Sequence, residues 1–280
     1  MPTPDEVNRL CDWVATQDFD DQTPDNLKAA SLVKKGGQGA VFSGTYAGDT
    51  TAIKVYYPGQ LDKRVEREIE ALSSLDCSTI VRLYWSGTID YEGEIIPVTA
   101  TEFIAGSDLR DVIDAAALSE AEVGKLVYDV AAAIKALWDS GKRIVHRDLK
   151  PDNIMVRGDG RYCVIDLGVA RHIDEPTLTA TGSTWGTVGY FSPEQAKARK
   201  ALTSKSDVFA LGIIAVEAAL GRHPTRRDQR RVFSSGMDQQ LPGLADSFSF
   251  APLIRRMLSA SPLKRPSPQE IMDALDGYAP

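Results

Sequence analysis

The sequence predicts an α+β protein in two parts, a small strand-rich one followed by a larger, mainly helical one. Three observations predict it. From Ala30 to about Val98, short runs rich in Val, Ile, Thr and Tyr are punctuated by Gly, Asp and Pro. From Ser119 a capping box opens a long stretch whose apolar residues recur at helical spacing. Finally, the longest apolar run, Val208 to Leu220, is too short to span a bilayer and carries Glu217, so it reads as a buried core helix.

Taken in order, the chain begins with Thr3-Pro4-Asp5-Glu6, a capping box with proline at the first helical position. Val7, Leu10, Cys11 and Val14 follow on one helical face, predicting a short amphipathic helix that lies on the main domain as a strap. A polar linker is expected from Asp18 to Asn26. Strands are predicted at Ser31–Lys34, Ala40–Tyr46, Thr50–Tyr56, Val81–Gly87 and Ile95–Thr101, interrupted by one helix from Leu61 to Leu75. After Ile104-Ala105-Gly106 the texture turns helical. Helices are expected from Ser119 to about Trp138, then over Ser192–Lys197, Ser206–Leu220, Ala251–Leu258 and Ser267–Leu275. This divides the chain into an N-terminal extension, 1–29, and a main domain, 30–278, whose smaller part runs to about 103 and whose larger part starts at about 104.

The composition excludes some classes of function. With 280 residues, 43% of them hydrophobic, the chain can bury a sizeable core. A formal net charge of −7 disfavours non-specific binding to nucleic acid or anionic membranes, which demand a basic surface. Arg226, Arg227, Arg230 and Arg231 are the local exception, read as a solvated face. Cys11, Cys77 and Cys163 are odd in number and lack CxxC spacing, so free thiols in a reducing, cytoplasmic setting are expected. The first residues lack the basic and apolar regions of a signal peptide, and no membrane span is expected.

The chemistry is concentrated in His146-Arg147-Asp148-Leu149-Lys150-Pro151-Asp152-Asn153, followed by Asp166-Leu167-Gly168. Transfer of a phosphoryl group to a hydroxyl needs a carboxylate to meet the hydroxyl, and hard oxygen ligands for a hard cation that bridges phosphates. This pattern supplies both: Asp148 for the first, Asn153 and Asp166 for the second. As eight consecutive residues it resembles the eukaryotic-type (Hanks-type) serine/threonine protein kinase superfamily, closest in character to bacterial members. The resemblance implies a bilobal kinase fold: a small β-rich N-lobe with one key helix and a larger, mainly helical C-lobe.

The remaining family features can be matched in chain order. Lys35-Gly36-Gly37-Gln38-Gly39-Ala40-Val41 resembles the glycine-rich loop, with Gly36 and Gly39 at its second and third glycine positions and Lys34 in place of the first. Thr51-Ala52-Ile53-Lys54 is similar to the strand whose lysine meets the α- and β-phosphates. Glu68, flanked by Glu66 and Glu70, matches the helical glutamate that pairs with that lysine. The resemblance further implies Thr101 as the gatekeeper, with Glu102 and Ile104 offering backbone groups to adenine. Val41, Ala52 and Met155 would sandwich the base. Asp108 would either accept from the ribose or cap the helix that starts near Leu109. His146 is expected to pack with Leu72, Leu83 and Leu167 in the family's hydrophobic spine.

Lys150 and the segment Gly186–Glu194 resemble the branch that acts on serine or threonine of proteins, and the segment is one that small-molecule phosphotransferases of this fold lack. Lys150 would neutralise charge on the transferred group. Thr187 would help hold Asp148 and Lys150, Glu194 would pair with Arg265, and Asp207 would anchor the catalytic loop through its backbone. Thr179 and Thr181 are expected as autophosphorylation sites, because Arg147 beside Asp148 suits a phosphate-ordered loop. The implied function is transfer of the γ-phosphoryl group of ATP to protein serine or threonine, with Mg2+ (Mn2+ as the alternative). The expected partners are protein substrates and a second copy for autophosphorylation in trans. The departures from the pattern are Lys34 and, where the family has phenylalanine, Leu167.

Overall fold

Alternating side chains and tight turns build a five-stranded antiparallel sheet in the first of two compact units, residues 1–74 and 81–104. The computed structural model describes residues 3–24, 26–59, 63–167, 171–172, 189–197, 202–225 and 248–279. The strands are β1 (Leu27–Lys35), β2 (Gly39–Tyr46), β3 (Asp49–Tyr56), β4 (Leu83–Tyr91) and β5 (Glu94–Glu102), in the order β1-β2-β3-β5-β4. Two of the hairpins turn on two residues each. Ala47-Gly48 and Glu92-Gly93 both have positive φ at each position, 52° and 96°, then 53° and 84°. Such turns match the right-handed twist of the strands they join.

Strand alternation gives the sheet two chemically distinct faces. Opposite partners Ala40↔Val55, Phe42↔Ile53, Ile53↔Ala100 and Val55↔Val98 stack apolar side chains on one of them. That face joins a core with Leu10, Val14 and Phe19. The partners Val41↔Lys54, Lys54↔Thr99 and Ala52↔Thr101 occupy the other. A period of two therefore separates the packing residues from most of the expected nucleotide-binding ones.

The N-terminal capping box forms as expected. Helix α1 (Pro4–Val14) starts at Thr3, whose hydroxyl caps Glu6 while the Glu6 carboxylate returns to Thr3. The expected linker does not form. Gln17–Asp21 is a short helix, α2, and Phe19 is fully buried against the edge of Trp13, with ring centroids 6.1 Å apart. One aromatic in a polar stretch suffices, because burying it stabilises by about 1.5–3 kcal/mol. Gln22 then uses its side-chain amide to pair with both backbone groups of Asp90 on edge strand β4.

Strand boundaries also differ from expectation, most at β1 and at β4, whose end at Tyr91 is four residues beyond the expected Gly87. β1 starts four residues early, at Leu27, because irregular register near Ala29–Ser31 and Leu32–Lys34 obscures its alternation. β4 runs from Leu83 to Tyr91, two residues later than expected at its start. Arg82 is outside the strand, and its carbonyl accepts from the Glu102 amide. Helix α3 (Lys63–Ser73) forms within the expected 61–75 helix and ends two residues before its expected end.

The second unit, residues 75–80 and 105–280, is mainly helical. Short β6 (Gly106–Asp108), β8 (Ile154–Arg157) and β9 (Tyr162–Val164) form a three-stranded sheet, and β7 (Ile144–Val145) pairs with β10 (Arg171–His172). The helices are α4 (Leu109–Ala115), α5 (Glu120–Asp139), α6 (Pro193–Ala196), α7 (Ser204–Leu220), α8 (Ala251–Met257) and α9 (Pro268–Ala274). α7 is the expected core helix, with Val208, Leu211, Ile213, Ile214, Ala215 and Val216 fully buried. Among the described residues no helix is long and apolar enough to cross a membrane. The four arginines at 226–231 lie outside the described residues.

Candidate active site

The expected residues fall into two groups, one in each unit. In the first unit, Lys54 leaves the centre of β3 on the same face as Ala52, beside Val41 of β2. Its ammonium lies 3.2 Å from each carboxylate oxygen of Glu68 on α3. Of the three neighbouring glutamates, Glu68 is buried while Glu66 and Glu70 are exposed. A buried carboxylate needs a cation or several donors, which is why the pair is held on both oxygens. Tyr56 supplies a further donor: its hydroxyl lies 2.8 Å from Glu68 Oε2. Burial, then the neighbouring Glu68 charge, pushes the Tyr56 phenol well up from its usual value, so it stays protonated and donates.

The glycine-rich segment joins β1 to β2. The Gly36 amide donates to the Gly39 carbonyl at 2.9 Å. Gly39 is required sterically, because a Cβ there would lie 2.4 Å from the Val55 carbonyl oxygen. No such clash exists at Gly36 or Gly37. Lys34, at the position of the family's first glycine, is an ordinary β1 residue opposite Val41. At the other end of the sheet the Thr101 hydroxyl reaches the Ala52 carbonyl at 3.5 Å, and Ile104 is buried.

In the second unit, the segment from His146 to Asn153 is anchored from α7. Asp207 accepts from the His146 and Arg147 amides, each at 2.9 Å. Gln195 of α6 donates to the Arg147 carbonyl at 2.9 Å. Arg147 needs these restraints, since its φ of 70° lies in the left-handed region that non-glycine residues seldom occupy. Burial raises the Asp207 carboxyl above its ordinary value, against the pull of His146 and the two amides. The expected anchoring role of Asp207 is thus realised as two backbone hydrogen bonds.

Just beyond, Lys150 Nζ stands 3.1 Å from Asp148 Oδ2. The Asn153 amide nitrogen donates to the Asp148 carbonyl at 3.0 Å, so the other end of that amide, a hard oxygen, points away from Asp148. His146 is fully buried and its Nδ1 accepts from the Asp148 amide at 3.3 Å, a packing and bracing role. The Asn153 backbone carbonyl accepts from the Ile165 amide at 3.0 Å, and β8 pairs with β9 through Ile154↔Val164. These contacts bring Asn153 and Asp166 to the same end of one β-ladder. Two oxygen donors fit magnesium, which keeps several waters and phosphate oxygens rather than a full protein cage. Met155, in the middle of β8, is opposite Asp108, whose carboxylate caps α4 through the Asp111 amide at 3.0 Å. The cap, one of the two roles open to Asp108, is formed.

Glu194 and Arg265 form the expected pair, at 2.6 and 2.9 Å, with the Arg265 side chain fully buried. Ser206 adds a donor to Glu194 at 2.8 Å, and the Arg265 guanidinium lies 4.8 Å from the Phe209 ring centre. Burial pushes the Glu194 carboxyl up, but the hydrogen bonds and charge of Arg265 outweigh burial and leave it below the usual range. Thr179, Thr181 and Thr187 lie outside the described residues, as does Gly168.

Residues 28–275 match the family profile of the protein kinase domain. The chain belongs to the protein kinase domain family. The two-unit α+β architecture, with its five-stranded antiparallel sheet and helical second unit, is the kinase fold. The kinase domain is 31% identical over 210 residues to a probable serine/threonine-protein kinase of Corynebacterium efficiens, covering 71% of this chain and 31% of that protein. It is 37% identical over 163 residues to the serine/threonine-protein kinase PrkC of Bacillus subtilis, 58% of this chain and 24% of the relative. It is 33% identical over 218 residues to AfsK of Streptomyces coelicolor, 76% and 26% respectively. The chain spans about a third or less of the length of these curated relatives. The family generally uses ATP and Mg2+.

Of the residues that matter to this geometry, sequence reading missed Tyr56 and Gln195. Gln195 carried a usable signal, since Ser192 and Gln195 have capping-box spacing. Tyr56 carried none beyond its parity with Lys54.

Proposed function

We propose that this domain transfers the γ-phosphoryl group of ATP to serine or threonine hydroxyls of protein substrates. The observation that carries the reading is the Asp148–Lys150 pair at 3.1 Å, in a segment whose backbone is fixed by Asp207. Asp148 receives the substrate hydroxyl proton as that oxygen bonds to the γ-phosphorus and the bond to the bridging oxygen breaks, releasing ADP. Lys150 offsets the charge that develops on the transferred group. Lys54, aimed by Glu68, holds the α- and β-phosphates, and Gly36 and Gly39 let backbone amides approach them. The family resemblance would assign Val41, Ala52 and Met155 to the base, backbone groups of Glu102 and Ile104 to its edge and Asp108 to the ribose. Asn153 and Asp166 hold Mg2+, or Mn2+ in its place, which neutralises phosphate charge when bound.

Lys150 and the Gly186–Glu194 segment favour a protein acceptor over a small molecule. Thr179 and Thr181 are the proposed sites of autophosphorylation, by a second copy acting in trans. A cytoplasmic setting supplies ATP and keeps the three cysteines reduced.

The test is transfer of label from radiolabelled ATP to a generic basic protein, followed by site mapping. Wild type labels serine or threonine, and EDTA abolishes transfer. Asp148→Ala lowers the rate by roughly 100- to 10,000-fold, the usual contribution of a positioned acid–base group. Failure of the wild type with every divalent metal tried refutes the enzyme. Labelling confined to small acceptors refutes the protein-kinase assignment.

A further inference from the structure

Tyr56 ends β3 two residues after Lys54, so alternation sends both side chains from one face of the strand. Its ring is fully buried. A buried phenol requires a partner for its hydroxyl, and here that partner is the Glu68 carboxylate at 2.8 Å. This is the shortest of the three bonds between the carboxylate and β3, since Lys54 reaches each oxygen at 3.2 Å. The Lys54 ammonium also stands 4.5 Å from the centre of the Tyr56 ring, within range of the attraction between a cation and an aromatic face. One side chain therefore touches both members of the ion pair, the carboxylate through its hydroxyl and the ammonium through its ring.

We infer that Tyr56 is a positioning residue for phosphoryl transfer: its hydroxyl holds Glu68 in place, and Glu68 in turn aims Lys54. The inference rests on the kinase reading given above. The physical logic is division of labour. When a nucleotide draws Lys54 toward its phosphates, the ammonium is shared between two anionic partners, and its hold on Glu68 weakens. The Tyr56 hydroxyl competes for nothing in the nucleotide and keeps the carboxylate fixed through that exchange. Burial alone does not explain the residue, because phenylalanine would fill the same volume without aiming a donor at Glu68.

The test is a double-mutant cycle of Tyr56→Phe and Glu68→Gln in the full chain, read as kcat and KM for ATP, with melting temperatures recorded. Y56F is expected to lower kcat by roughly tenfold, the size of one hydrogen bond to a charged group, with KM for ATP changed much less. In the E68Q background the same change is expected to have little further effect. Tyr57→Phe is the control: Tyr57 is buried with the opposite, α1-covered face of the sheet, and kcat should not change. If Y56F melts more than about 5 °C below wild type, the cycle is run at low temperature and the coupling decides. Wild-type kcat in Y56F, or a Y56F loss that persists undiminished in E68Q, overturns the inference. A wild type that fails to transfer phosphate overturns the kinase reading instead, so the two failures are distinguishable.

Discussion

At Glu194 a single carboxylate faces a guanidinium with no exposed surface, and the pair shows how a residue far from the chemistry stabilises the helical unit. Because Arg265 keeps its charge, Glu194→Gln leaves a buried cation short of its counter-charge. The expected cost is about 3–5 kcal/mol at neutral pH, measured by chemical unfolding. The pH dependence has a definite sign. The Glu194 carboxyl is held below its ordinary value, so its contribution is present above the unfolded value of about 4.3 and is lost as pH falls through the lower folded value. The gap between wild type and E194Q should therefore narrow on acidification below about pH 4. A gap that widens there would refute the assignment. The same scale shows what pattern reading captures: the Glu194–Arg265 and Asp207 contacts were legible through family resemblance, whereas Tyr56 required the fold.

Among the elements, α1 and the glycine-rich turn make the sharpest predictions. Leu10 of α1 is 1% exposed in the core that covers one face of the sheet. Leu10→Ala should cost about 2–5 kcal/mol, seen as an early unfolding midpoint, if the helix belongs to the folded unit. A helix that merely rests on the surface would lose far less. Asn8 on the same helix accepts from Lys35 at 2.6 Å, which ties α1 to the start of the glycine-rich turn. Within that turn, Gly39→Ala should weaken β2–β3 pairing by about 1–3 kcal/mol, since its Cβ meets the Val55 carbonyl. Gly36→Ala meets nothing closer than 3.4 Å, so it should melt with the wild type and raise KM for ATP instead. Helix α1 was legible from its capping box. α2 was not, because a five-residue helix has too little periodicity and its single anchor, Phe19, declares itself only by burial.

For the whole molecule, the three cysteines report on folding. Cys163 is fully buried in β9, while Cys11 and Cys77 are half-buried. A thiol reagent should modify two groups in the native protein and the third only with global unfolding. Cys11 should be slow near neutral pH, since burial raises its thiol above the ordinary value. Fast native labelling of all three would contradict the packing of β9.

The sequence by itself determined the two-part α+β order, the helix starts that a capping box marks and the spacing of Lys54, Glu68, Asp148, Lys150, Asn153 and Asp166. Those signals are local: a cap spans four residues, a strand repeats every two, and the motif from His146 to Asn153 is contiguous. Only the tertiary structure decided which glutamate of three is buried, that Phe19 turns an expected linker into a helix, and that Tyr56 meets Glu68. It also decided that Arg147 is held in left-handed geometry by residues 48 and 60 positions away in the chain. Phe19 is set by apolar burial, and for the other three the physical reason is shared. A buried polar group or a strained backbone is stabilised by whichever partner the fold brings within hydrogen-bond distance, and chain spacing does not encode that distance.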